Sequence, residues 1–272
     1  MIDPIVERGN APLIVSMPHA GTDIPEQFRE HIISLWRAKK DADFWIDRLY
    51  SFVTGLDATI VRTTLSRTVI DMNRDPSGRS LYPGKATTEL CPTMTFDGEP
   101  LYRSGQTPTA ADIARRRDMF FAPYHDTLSA EIERLKARHK TVVVFDAHSI
   151  RSRILRLFDG ELPHLNFGTN DGVTCAPELM QTFEALSAQT KFSRVTNGRF
   201  KGGYITRHYG RPSEGVHAIQ LELAMRGYMV EPPVLTEQNW PSPYQRDRAA
   251  PLRALLQKLL QAAIEFASKD PS

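Results

Sequence analysis

The stretch TVVVFDAHSI, Thr141 to Ile150, restricts this chain more than any other segment. Val142 to Phe145 are all β-branched or aromatic and leave no polar face for water, the pattern of a central strand covered on both sides. The run then ends abruptly in Asp146, His148 and Ser149. In open α/β sheets ligands bind beyond the carboxyl ends of such strands, so His148 is expected just past a strand tip, where chemistry is usually carried out. A second segment repeats the arrangement. Leu13 to Met17 is apolar, Pro18 stops the strand, and His19 follows with Ala20 and Gly21 leaving room around it.

The rest of the chain supplies elements to surround these strands. Glu26 to Trp36 reads as a surface helix. In DADFWIDRLYSFVTGL, apolar residues recur at helical steps from Phe44 to Val53, with Asp43 in the first turn and Gly55 as the stop. Ala58 to Arg62 and Thr68 to Asp71 read as strands rich in Val, Ile and Thr. From Asp75 to Thr107, Pro and Gly punctuate a segment without sustained periodicity. Segments of that length tend to be lids or binding loops, and a plain insertion is the alternative. Thr109 can cap a helix with Asp112 as its reciprocal partner, and Ile113, Phe120, Tyr124, Leu128, Ile132 and Leu135 mark its apolar stripe, which Pro123 should kink or split. That helix leads into the Val142 strand, an alternation that favours a largely parallel sheet. Pro177 opens another helix, NGRFKGGYITRHYGRP reads as a basic loop, and Val216 to Leu223 is a strand with Gln220 and Glu222 on one face. Pro251 to Ala267 is an amphipathic closing helix. One domain over 1–272 is expected, with no linker or internal repeat.

Charge and cysteine usage exclude several classes. Lys and Arg number 34 against 32 for Asp and Glu, a net charge of +2, far from the basic excess of a phosphate-backbone binder; no nucleic acid is expected. The amino-terminal MIDPIVERGNAP has no basic start followed by an apolar core, and no stretch approaches bilayer length, so a cytoplasmic protein without membrane partners is expected. Cys91 and Cys175 have no paired spacing and read as reduced, inert thiols.

His19 and His148 offer imidazole nitrogens suited to zinc, and a catalytic zinc takes three protein ligands and keeps an open position. Asp43 and Asp23 are both candidates for the third. Ordinary hydrogen-bonded histidines are the alternative, and spacing alone does not separate the two readings. Glu222 closes the apolar run QLELA, either as a general base tuned by burial or as a strand-end carboxylate paired with an arginine. Arg67, Asn73 and Arg74 cluster in SRTVIDMNRDP and, with Arg207 in YITRHYG, could bind a small acidic substrate; a surface salt-bridge network is the competing explanation. Ser149 lacks the GxSxG context of a nucleophile.

At PLIVSMPHAG, SRTVIDMNRDP, FDAHSIRS, NGRFKGGYITRHYG and GVHAIQLELA, from Leu13 to about Met229, the sequence resembles the N-formylglutamate amidohydrolase family of histidine degradation. The resemblance implies a three-layer α/β/α fold related to the zinc carboxypeptidases, with a mixed, mostly parallel sheet and one metal at its carboxyl edge. It also implies hydrolysis of N-formyl-L-glutamate to formate and L-glutamate. His19 and His148 become metal ligands, Glu222 the general base, and Asn73 with Arg74 the carboxylate-recognising pair. Asp43, in DADFW, is preferred over Asp23 as third ligand because it resembles the family's DTDWH block. Two departures stand out: Trp45 replaces that block's His, and Thr22 replaces the Glu that follows the first His in carboxypeptidases. The rival readings are a metal-dependent amidase or carboxypeptidase-like hydrolase for another N-acyl amino acid, and a metal-free binding module for an acidic metabolite.

Overall fold

The Val142 run becomes β4, Val142–Ile150, whose nine residues are all buried, and GVHAIQLELA becomes β7, Val216–Ala224, buried over its whole length. The two pair in parallel from Val142↔Val216 to Ile150↔Ala224 and form the centre of the sheet. This computed structural model describes residues 2–81, 83–84 and 86–269. Around the central pair stand β1 (Ile5–Glu7), β2 (Leu13–Met17), β3 (Thr59–Arg62), β5 (Leu165–Gly168) and β6 (Arg194–Thr196), in the order β1-β3-β2-β4-β7-β5-β6. β1 runs antiparallel to β3 and β5 antiparallel to β7, and the other neighbours are parallel. The expectation of a mixed, mostly parallel sheet between helical layers holds.

Period-two alternation sorts the central strands into two cores. Val143, Phe145, Ala147, Ile219 and Leu221 pack under the helices Pro177–Ala188 and Arg246–Ser268. Phe145 and Phe167 both meet Phe183, with ring centroids 6.2 and 6.0 Å apart. Each such ring contributes roughly 1.5–3 kcal/mol by leaving water. On the other face Val142, Val144, Val216 and Ala218 meet the stripe Phe120, Tyr124, Leu128, Ile132 and Leu135. Thr109 and Asp112 form the reciprocal cap that opens that helix at Ala110. A π-helical turn at Arg117–Phe121 then carries the chain to Ala122–Lys136 across Pro123, whose missing N–H interrupts the regular ladder.

Four local expectations fail, each where tertiary contacts overrule the pattern. Thr68–Asp71 is a turn, since Asp71 N donates to Leu90 O at 2.7 Å instead of joining the sheet. Glu26–Trp36 resolves into two short helices, Glu26–Arg29 and Leu35–Lys39. The helix expected from Asp41 survives only as Ile46–Leu49 and a 3-10 turn, Val53–Leu56, because Trp45 takes the left-handed conformation, φ 64°. The basic loop contains a helix, Tyr204–Tyr209. The Asp75–Thr107 segment is no mere surface excursion: Leu90, Cys91, Phe96, Leu101 and Tyr102 are buried. Tyr82 and Lys85 within it lie outside the described residues. Among the described residues no helix is long and apolar enough to cross a membrane, and both cysteines are free and buried.

Candidate active site

The carboxyl edge of the sheet is stepped. β2 stops at Met17, one residue after Ser16 pairs with Asp146, whereas β4 continues to Ile150 beside β7. His148 is thus not past a strand tip, as expected, but on the strand, directly opposite Glu222. Pro18 and His19 turn over the step. Gly21 permits that turn, because a Cβ there would lie 2.1 Å from the Thr64 carbonyl carbon.

Asp43 arrives from the broken helix. Its N–H donates to His19 O at 3.0 Å, and its Oδ2 accepts from Ser149 N at 3.0 Å and lies 3.2 Å from His148 Nδ1. The left-handed turn at Trp45 follows two residues later, so the chain reaches the site before it coils. Potential ligand atoms of His19, Asp43 and His148 all lie within 4.8 Å of one another, and all three residues are buried. Each imidazole turns its other nitrogen to a buried carboxylate: His19 Nε2 to Asp71 Oδ1 at 2.7 Å, His148 Nε2 to Asp146 Oδ2 at 3.0 Å. That is the outer arrangement that fixes tautomer and orientation in metal-binding histidines. His19 Nδ1 and Asp43 Oδ1 are buried without a hydrogen-bond partner, which costs about 1–3 kcal/mol per group unless something fills the bond. Two imidazoles and a carboxylate, with His19 Nδ1 and Asp43 Oδ1 unused, fit a divalent cation.

Burial lowers the His19 pKa to about 4, with the Arg67 charge adding to it against Asp71. Burial also acts to lower His148, but Asp146 and Asp43 outweigh it and carry the group well above its ordinary value. Burial would raise Asp71, yet Arg67, Arg74 and His19 hold it well below the usual carboxylate range. Burial pushes Glu222 up to about 8, against the His148 and Arg67 charges.

These groups open on a cavity lined by Glu222, Gln220 and three arginines, Arg67, Arg74 and Arg199. Arg67 donates to Asp71 Oδ2 at 2.6 Å and lies over the Phe96 ring, 4.8 Å from its centroid. Arg74 is braced by Thr88 O, Thr88 Oγ1 and Asn73 O at 3.1, 3.0 and 3.2 Å.

Residues 11–229 match the model of the N-formylglutamate amidohydrolase family. The chain belongs to that family. It is 42% identical over 263 residues to the N-formylglutamate deformylase of Pseudomonas putida, covering 96% of each chain. To the Pseudomonas aeruginosa N-formylglutamate deformylase it is 43% identical over 261 residues, covering 96% of this chain and 95% of the relative. A crystal structure of an N-formylglutamate amidohydrolase from Ralstonia eutropha JMP134 has the same fold, with TM-score 0.79, 24% identity and 98% of both chains covered. A gene product from Agrobacterium tumefaciens shares it at TM-score 0.68 and 19% identity, with 96% of both chains covered.

Within this amidohydrolase fold, Asp43 joins the two histidines, whereas Asp23, the alternative, is exposed and bridges to Leu65. Arg67 and Arg74 line the cavity, and so does Asn73, but its amide serves the protein. Nδ2 donates to Asp146 Oδ2 at 2.9 Å and Oδ1 accepts from Ile205 N at 2.8 Å. Arg207 does not line the cavity. The helix Tyr204–Tyr209 directs its Nε back to Gly202 O at 2.9 Å, and Arg199 from the same basic segment takes the wall position. Ser149 accepts from the Tyr228 hydroxyl at 2.8 Å.

Asp71, Asp146, Gln220 and Arg199 went unread in the sequence as site residues. Asp146 had a usable signal, since residues two apart on a strand share a face and DAH places it beside His148. Asp71 is 52 residues from His19, and no local pattern announces that pairing.

Proposed function

We propose that this chain hydrolyses N-formyl-L-glutamate to formate and L-glutamate, with one divalent metal ion, zinc by donor chemistry, held by His19, Asp43 and His148. The observation that carries the reading is the convergence of those three ligand atoms beside the buried Glu222 in an arginine-lined cavity. Family membership supplies the choice of amide. When bound, the ion supplies Lewis acidity toward a water and the formyl carbonyl.

The chain's own residues do the rest. Glu222 takes a proton from the attacking water and returns it to the leaving amide nitrogen. Arg67, whose Nη1 is 3.8 Å from Asp43 Oδ1, brings positive charge to the side where the carbonyl oxygen becomes anionic. Arg74 and Arg199 give the cavity the sign that a dianionic substrate requires. Asn73, whose Nδ2 lies 2.9 Å from Asp146 Oδ2 and 2.8 Å from His148 Nε2, holds both in place. Because these groups come from positions 19 to 222, we read the chain as a single catalytic domain.

The test is formate release from N-formyl-L-glutamate by purified protein before chelation, after it and after zinc is restored, with bound metal counted by mass spectrometry. Release that tracks one equivalent of metal is expected. Folded protein that releases no formate at any metal loading would overturn the proposal.

A further inference from the structure

Gln220 is only 4% exposed, yet it lines the cavity two residues before Glu222 on the same face of β7. Its amide cannot turn freely. The Gly203 N–H points at it from 2.7 Å, and since a backbone N–H can only donate, the facing atom is Oε1. Nε2 is thereby committed to the opposite direction, and no described residue accepts from it. Gly203 is itself held close, because a Cβ there would meet Asn73 Nδ2 at 2.4 Å. The result is a neutral donor of set orientation in the cavity wall.

We propose that Gln220 determines specificity for the amino-acid half of the substrate by donating from Nε2 to its distal carboxylate. The inference rests on the hydrolase reading above and deepens it. Glu222 marks the level of the reacting amide, and two strand residues separate it from Gln220 by roughly 6.5 Å. Four bonds from the amide nitrogen to the distal carbon of glutamate span about 5 Å, so an amide at the Glu222 level brings that carboxylate within reach of Gln220. The α-carboxylate, two bonds from the same nitrogen, is left to Arg74, which lines the same cavity. A site built to hydrogen-bond one distal group rejects the analogue that cannot return the bond.

Wild type, Gln220→Glu and Gln220→Leu would be compared on N-formyl-L-glutamate and N-formyl-L-norvaline, which has the same reach but no distal acceptor, with metal content and thermal unfolding measured in parallel. The ratio of kcat/KM for the two substrates is expected to fall about 100-fold in Gln220→Glu, where a carboxylate opposes a carboxylate, and about 10-fold in Gln220→Leu, mostly through KM. Gln220→Leu keeps the test decisive should the buried acid prevent folding. A ratio within threefold of wild type, or an equal loss on both substrates, would overturn the assignment. Absence of formate release from the wild type would instead remove the hydrolase reading, and this assignment with it.

Discussion

His148 on β4 and Glu222 on β7 are direct partners in a parallel ladder, and both side chains face the cavity. Backbone hydrogen bonds, not a loop, therefore set the distance between the proposed ligand and the proposed base. A base positioned this rigidly can be removed without disturbing its neighbour. Glu222→Gln is expected to lower turnover about 10²- to 10⁴-fold while metal content stays at the wild-type level. Near-normal turnover in that variant would take Glu222 out of the mechanism.

Asp71 binds His19 Nε2 on one oxygen and Arg67 on the other. Asp71→Asn keeps the shape and removes the charge that orients the imidazole. Metal affinity should drop about 10- to 100-fold, measured by competition with a chromogenic chelator. An unchanged affinity would mean that His19 is held by packing alone.

The turn that delivers His19 has no space for a side chain at position 21, where a Cβ would sit 2.2 Å from Thr64 O. Gly21→Ala must push β2's exit away from the Thr64–Leu65 backbone. A loss of bound metal is expected together with a lowered melting temperature, and the same variant with full metal content and wild-type melting would contradict the packing account.

His125 gives a pH signature remote from the three proposed ligands. Its Nε2 lies 2.9 Å from Met72 O, a carbonyl that can only accept, so that nitrogen carries the proton, and Nδ1 is 3.0 Å from the Tyr209 hydroxyl. Burial pushes its pKa down from 6.5 to about 4. Between those values the unfolded chain binds a proton that the folded chain refuses, so stability falls as pH drops through the window, by up to about 3 kcal/mol. Denaturant titrations should show a flatter decline from pH 6.5 to 4 in His125→Gln than in wild type. Parallel declines would show that His125 takes up its proton without unfolding.

Local pattern sufficed for the parts of this protein whose burial follows one element's own period. The all-apolar start of β4, the shared face of Gln220 and Glu222, the Thr109–Asp112 cap and the stripe from Phe120 to Leu135 each obey a spacing that the chain carries within a dozen or so residues. The quoted blocks sufficed for the family as well. Packing alone decided the rest. Trp45 breaks a helix that its periodicity favours, since Asp43 must meet His148 and Ser149 from across more than a hundred residues of chain. Thr68–Asp71 has strand composition but serves as a turn that sets Asp71 against His19. Arg199 and Arg207 are alike in a string of letters, and a two-turn helix chooses between them by direction. Hydrogen bonds between residues 52 or 73 positions apart leave no periodic trace, because their partners are chosen by which surfaces the hydrophobic core brings together.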